Sequence, residues 1–140
     1  MKAVVIVKGI IFNKDLGKIL LVQRSSSDPI GASTWENVGG KVEQGEQPEE
    51  ALKREIREET GITDLQIKSL AYSGLVYNKE PHLFIVYFCE TQTETVSLSS
   101  EHQKFVWANK EDCIGMLPKA IMEDFHKNNI FEYLWGSMNS

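Results

Sequence analysis

Cysteine is scarce in this chain of 140 residues, and so are most of the features that would mark a secreted, membrane-bound or nucleic-acid-coating protein. Cys89 and Cys113 are the only two cysteines, and neither has a CxxC neighbour or a histidine at ligand spacing. A disulfide framework and a thiolate zinc site therefore both lack material, and a reducing cytoplasm is the expected setting. Long apolar runs are missing too. Ala3 to Val7 and Leu83 to Phe88 span five and six residues, against roughly 18 for a bilayer-crossing helix, so no membrane partner is expected. One lysine precedes the first run, Lys8 interrupts it, and no small-residue cleavage site follows, so a secretory leader is not expected. Basic residues are outnumbered, 15 Lys and Arg against 20 Asp and Glu, a net charge of −5. That balance argues against binding a long polyanion, yet it admits a small phosphorylated ligand brought in by a metal ion. The three histidines, His82, His102 and His126, are isolated and read as structural or surface residues. No repeat, low-complexity stretch or Pro/Gly/Ser-rich linker divides the chain, which predicts one domain over residues 1–140.

What the chain does contain is a globular share of apolar residues, 41%, in segments with clear periodicity. Ala3 to Phe12 and Lys18 to Gln23 are apolar and β-branched around the turn residues Asn13 to Gly17, which predicts a hairpin. Ser25 to Trp35 carries four serines, Asp28-Pro29 and Gly31 and reads as a surface loop. From Gln47 to Thr60 good helix formers follow one another, with Pro48 in the first turn and Gly61 just past the end. Leu65 to Tyr77, His82 to Cys89 and Lys104 to Trp107 read as strands, and Thr91 to Ser100 as a polar turn. Pro118 opens a C-terminal amphipathic helix with Ile121, Met122, Phe125 and Ile130 on its apolar stripe. Strands outnumber helices and come in hairpins, so the expected class is α/β with a mixed sheet and helices packed on it.

The chemistry concentrates between Gly39 and Ile62. At 100° per residue, Glu55 and Glu59 lie next to the stripe made by Leu52 and Ile56, at one edge of it, with Glu58 a little further round. Like charges at these spacings destabilise a helix, and they occupy the last turn, where the macrodipole disfavours negative charge. Arg54 and Arg57 could make this a solvated acidic face, paired and inert. A hard divalent cation with oxygen ligands, Mg²⁺ or Mn²⁺, would relieve both penalties. Two features favour the cation. Gly39-Gly40 lets the backbone approach a ligand and offers a carbonyl, and Arg54, four residues before Glu58, can hold that carboxylate in place.

Gly40, five residues, Glu46, seven residues, then Arg54-Glu55-Ile56-Arg57-Glu58-Glu59-Thr60-Gly61-Ile62 resembles the complete signature box of the Nudix hydrolase family, MutT-like members included. The likeness extends to Gln23-Arg24, to Trp35-Glu36, and to Glu101 six residues ahead of Trp107. It implies an α/β/α sandwich in which a mixed β-sheet is flanked by helices. It further implies hydrolysis of a nucleoside diphosphate linked to another moiety, with water attacking phosphorus while divalent cations neutralise the diphosphate. By resemblance, Glu55, Glu58, Glu59 and Glu101 bind metal with the Gly39 carbonyl, and Glu46 and Arg54 support them. The water-activating base is either Glu55 or Glu101, so Glu55, Glu101 and Arg54 form the catalytic group. Arg24 and Lys41 are candidates for substrate phosphate, each with a plain surface role as the alternative. Trp35 is a candidate for stacking on a base, or a lid on the core.

This chain departs from nucleotide-pool-cleansing relatives in carrying Val38 where they often have proline, and Ile121 where a base-reading asparagine would fall. Readout of oxidised guanine is therefore not expected, unless another side chain such as Asn37 takes it over. The expected substrate is a nucleoside or deoxynucleoside triphosphate, cleaved to the monophosphate and pyrophosphate. A nucleotide sugar, a dinucleoside polyphosphate and a sensor without turnover are the rivals, and monomer and homodimer are both open.

Overall fold

The computed structural model describes residues 1–136. Its strands are β1 (Val4–Asn13), β2 (Lys18–Arg24), β3 (Trp35–Glu36), β4 (Val38–Lys41), β5 (Gln66–Asn78), β6 (Glu80–Thr91) and β7 (His102–Ala108). The helices are α1 (Pro48–Thr60), α2 (Lys110–Met116), α3 (Lys119–Lys127) and α4 (Ile130–Trp135). All seven strands form one mixed sheet of order β3-β2-β1-β6-β5, with β4 paired to β1 and β7 to β2. β1 and β6 run parallel over ten residue pairs, from Val4 opposite His82 to Asn13 opposite Thr91. The other pairings are antiparallel.

Alternation along the central strands splits the core into two layers. Val7 and Ile11 of β1 and Leu20 and Val22 of β2 face α1, where they meet Ala51, Leu52 and Ile56. Ile10, Ile19 and Leu21 face the opposite way, onto Cys113, Phe125, Ile130 and Phe131 of the C-terminal helices. Helices thus cover both faces, an α/β/α sandwich, and both cysteines are buried as free thiols. No helix among the described residues is long and apolar enough to cross a membrane.

The carboxylate helix α1 begins and ends where its punctuation predicts. Glu50 accepts a hydrogen bond from the Gln47 backbone N–H at 2.9 Å, and Gly61, in the left-handed region at φ 78°, donates to the Arg57 carbonyl. The single C-terminal helix expected after Pro118 is instead two, because Asn128-Asn129 interrupts it and Asn129 adopts φ 53°. α2, capped by the Asn109 side chain, precedes them. The polar stretch after Thr91 is not a free turn. Val96 and Leu98 pack on the α1 layer, and Ser97 and Ser99 donate to the carbonyls of Thr60 and Glu59. This docking brings Glu101 and His102 to the C-terminal end of α1.

Candidate active site

Arg54 organises the exposed edge of α1. Its guanidinium clasps Glu46 in two-pronged fashion, Nε at 2.6 Å and Nη2 at 2.9 Å. The remaining donors reach Glu55 at 2.9 Å, Glu58 at 3.3 Å and the Lys41 carbonyl at 3.1 Å. A planar fork with five donors can bridge three carboxylates and a strand carbonyl at once, where an ammonium could not. The bridge fixes Glu55 under the β4 glycines. A Cβ built on Gly40 would lie 2.3 Å from the Glu55 carboxyl carbon.

A second network lies behind the first. His102 is 8% exposed, with Nδ1 3.1 Å from Glu59 and Nε2 2.9 Å from Glu36. Glu59 also accepts from the Ser99 hydroxyl, and Glu36 from Lys8 at 3.1 Å and Arg24 at 3.4 Å. Two carboxylates facing the two ring nitrogens suit a protonated imidazole. Burial alone would lower the His102 pKa, but Glu36 and Glu59 outweigh it and raise the value above its ordinary range. The same contacts act on Glu36. Burial would raise its pKa, yet His102, Lys8 and Arg24 hold it down at about 2.

A carboxylate depressed in the folded state gives stability that is complete above its unfolded pKa and is lost as pH falls through the folded value. Between the ordinary 4.5 and about 2, Glu36 should account for a loss on the order of 3 kcal/mol. The variant Glu36→Gln is expected to be less stable at neutral pH and to show a shallower acid limb. Urea melts at several pH values across this window check it.

The two networks border one cleft of about 680 Å³. Six carboxylates line it, from Asp28, Glu36, Glu43, Glu55, Glu101 and Asp124, against the three basic side chains Lys8, Arg24 and Lys41 and the His102 ring. Lys8 and Arg24 are already paired to those carboxylates. Crowding of like charge is felt inside it. The Glu55 pKa is raised by burial and by Glu58 and Glu59, against the pull of Arg54. The Glu101 pKa is raised by the nearby charge of Glu59 and by burial. An oxygen-only donor set under mutual repulsion fits a hard divalent cation, and a polyphosphate could not enter so acidic a cleft without one.

The placement of the expected residues is uneven. Gly39, Glu55, Glu101, Arg24 and Lys41 line the cleft. Glu58 stands at its edge with a half-exposed side chain, and Glu59 is buried behind it against His102. Glu55, Glu58 and Glu59 are not drawn to a common point: among the described residues no group of three or more histidine, cysteine or acidic side chains is gathered as a metal site. Each has turned to the nearest protein donor instead, as like charges do. Trp35 is half-buried against the layer of α2 to α4, as a lid on the core would be, and is absent from the cleft lining. His102 and Glu36 are the residues that sequence reasoning missed as parts of the site. They lie 66 positions apart, and the one available signal was the adjacency of His102 to Glu101 and of Glu36 to Trp35.

Comparison with known proteins agrees with this architecture. The family model described as NUDIX domain matches residues 2–131. A nucleoside triphosphatase NudI of Escherichia coli O139:H28 is 29% identical over 109 residues, covering 70% of this chain and 77% of the relative. The crystal structure of a MutT protein from Methanosarcina mazei Go1 superimposes with TM-score 0.80 at 30% identity, covering 91% of this chain and 94% of that one. A C. elegans Ap4A hydrolase superimposes with TM-score 0.77 at 27% identity, covering 94% and 98%.

Proposed function

Because the chain belongs to the NUDIX family, and is a pyrophosphohydrolase of that family, we propose that its substrate is a nucleoside or deoxynucleoside triphosphate, released as monophosphate and pyrophosphate. The observation that carries this reading is the continuity of the cleft. The cleft that Glu55 and Glu101 line is also lined by Ile6, Tyr72, Phe84, Val86 and Ile121, apolar surface suited to a nucleoside. The likeness to NudI, a nucleoside triphosphatase by name, supports the same choice.

In this reading Glu55, Glu58, Glu59 and Glu101, with the Gly39 carbonyl, hold divalent cations. Mg²⁺ is the expected ion, and Mn²⁺ would fit the same oxygen donors. The cations would neutralise the polyphosphate and make a bound water more acidic. The protein's own groups do the rest. Arg54, clasped by Glu46, fixes Glu55 and Glu58 so that no reorganisation is needed during the reaction. Lys41, exposed at the mouth, and Arg24 contribute positive charge toward the phosphates. Water attacks phosphorus, the bridging P–O bond breaks, and the water proton passes to a carboxylate. Glu55 and Glu101 are the two that line the cleft with raised pKa values, and a base nearer neutrality holds the proton better.

The test is a turnover screen in Mg²⁺ over nucleoside triphosphates, nucleotide sugars, ADP-ribose and dinucleoside polyphosphates, with coupled pyrophosphate and phosphate detection and EDTA controls. Triphosphates are expected to give pyrophosphate and to be cleaved fastest, with no activity in EDTA. Fastest cleavage of a dinucleoside polyphosphate would favour the second reading, which the likeness to the Ap4A hydrolase supports. Binding without turnover of any class would favour the sensor.

A further inference from the structure

The lining of the cleft contains one buried polar group with nothing to bond. Asn37, between β3 and β4, is 4% exposed, and its Nδ2 is the one buried side-chain nitrogen or oxygen among the described residues that has no hydrogen-bond partner. The other buried side-chain nitrogens and oxygens among the described residues are satisfied, and an unpaired buried donor is costly enough that it calls for an explanation. The backbone of Asn37 is held, its carbonyl accepting from Lys8 at 3.2 Å, so the residue is anchored while its amide is not. Asn37 lines the same cleft as Tyr72, Ile121 and Asp124, and its broad χ2 torsion lets the amide turn to present the donor to an occupant.

Given the nucleotide reading above, on which this rests, we infer that Asn37 is a specificity-determining residue whose Nδ2 donates to an exocyclic carbonyl of the nucleobase, favouring 6-oxo purines or 4-oxo pyrimidines over their amino counterparts. The amide nitrogen can donate and cannot accept. A base carbonyl projects from the ring with two lone pairs and satisfies it. An exocyclic amine in the same place sets donor against donor and leaves both unpaired. Burial, with the nearby charge of Asp124, raises the Tyr72 phenol above its ordinary range, and Asp124 supplies an acceptor in the lining of the same cleft. Oxo bases carry a ring N–H next to the carbonyl that an acceptor can receive. Ile121 itself offers no such readout, so the discrimination falls to Asn37.

The experiment compares binding of IMP with AMP and of UMP with CMP, pairs in which carbonyl and adjacent N–H are exchanged for amine and bare ring nitrogen. Dissociation constants are measured calorimetrically in Mg²⁺ for the wild-type protein and for Asn37→Leu, which keeps the size and removes the donor. In the tighter-binding pair the wild type is expected to favour the oxo member by about 10-fold or more, and Asn37→Leu to reduce this below about threefold. The melting temperature of Asn37→Leu should equal or exceed that of the wild type, because an unsatisfied group is gone. A wild type indifferent between members overturns the inference. So does an unchanged preference in Asn37→Leu, or a lowered melting temperature with equal loss of both members. A preference that follows Asn37 without triphosphate turnover would leave the inference standing and remove the proposed reaction, and turnover without such a preference would do the reverse.

Discussion

The substitution Glu58→Gln is expected to lower kcat with the preferred triphosphate by about 10³-fold or more in saturating Mg²⁺, while shifting the melting temperature by no more than about 2 °C. The two halves of this expectation have separate causes. Glu58 belongs to the proposed cation-binding set, and loss of one charged ligand removes several kcal/mol of charge stabilisation that develops with the reaction. For folding the residue matters little. Its side chain is 52% exposed, and its contact with Arg54 at 3.3 Å is an i,i+4 pair, worth a few tenths of a kcal/mol at such a position. Arg54 would keep its clasp on Glu46 and its bond to Glu55. Steady-state kinetics together with thermal melts check both halves. A folded Glu58→Gln protein retaining more than a tenth of wild-type turnover would remove Glu58 from the metal set.

α1 was legible in the sequence because everything that defines it is local: helix formers, Pro48 at the start, Gly61 at the end, and Leu52 and Ile56 on one face. The β1–β2 hairpin was legible for the same reason. β3 and β4 were not, since strands of two and four residues carry too little periodicity to register and exist only because β2 and β1 offer them an edge. The break between α3 and α4 turns on one left-handed residue, Asn129, inside a stripe that reads as continuous. In the site, the residues of α1 and the glycines ahead of it declared themselves by spacing. The pairing of His102 with Glu36 and Glu59 could not, because the fold closes it across strands distant in sequence. Trp35 shows a different limit. Next to the signature glycines it reads equally as a stacking platform or a lid on the core, and strand alternation turns it to the face of the sheet away from α1. Burial direction separates such readings, and sequence position does not.

The two adjacent glycines of β4 should fail in different ways when each is replaced by alanine. A Cβ on Gly39 would stand 1.9 Å from the Val7 carbonyl oxygen and 2.8 Å from the Lys8 Cα, and both are backbone atoms of the central strand β1. Gly39 sits opposite Lys8 in the β1–β4 ladder, so relief requires the two strands to part. Overpacking against atoms that cannot rotate away lies at the upper end of such costs, about 3 kcal/mol or more, on the order of 10 °C in melting temperature for a chain of this size. The atoms nearest a Cβ on Gly40 are the far end of a side chain, the Glu55 carboxyl, with its carbon at 2.3 Å and its oxygens at 2.4 and 2.7 Å. That carboxylate can swing aside, and the ladder position opposite Val7 is kept. Gly40→Ala is therefore expected to melt within a few degrees of the wild type while Glu55 is displaced by about 1 Å or more, a misplacement that costs on the order of 10²-fold in kcat. Melting scans and turnover measured on both variants decide the matter. If Gly40→Ala kept full activity, the Glu55 carboxylate under that glycine would not be the working position of the group. If Gly39→Ala melted like the wild type, β4 would be far looser against β1 than its ladder implies.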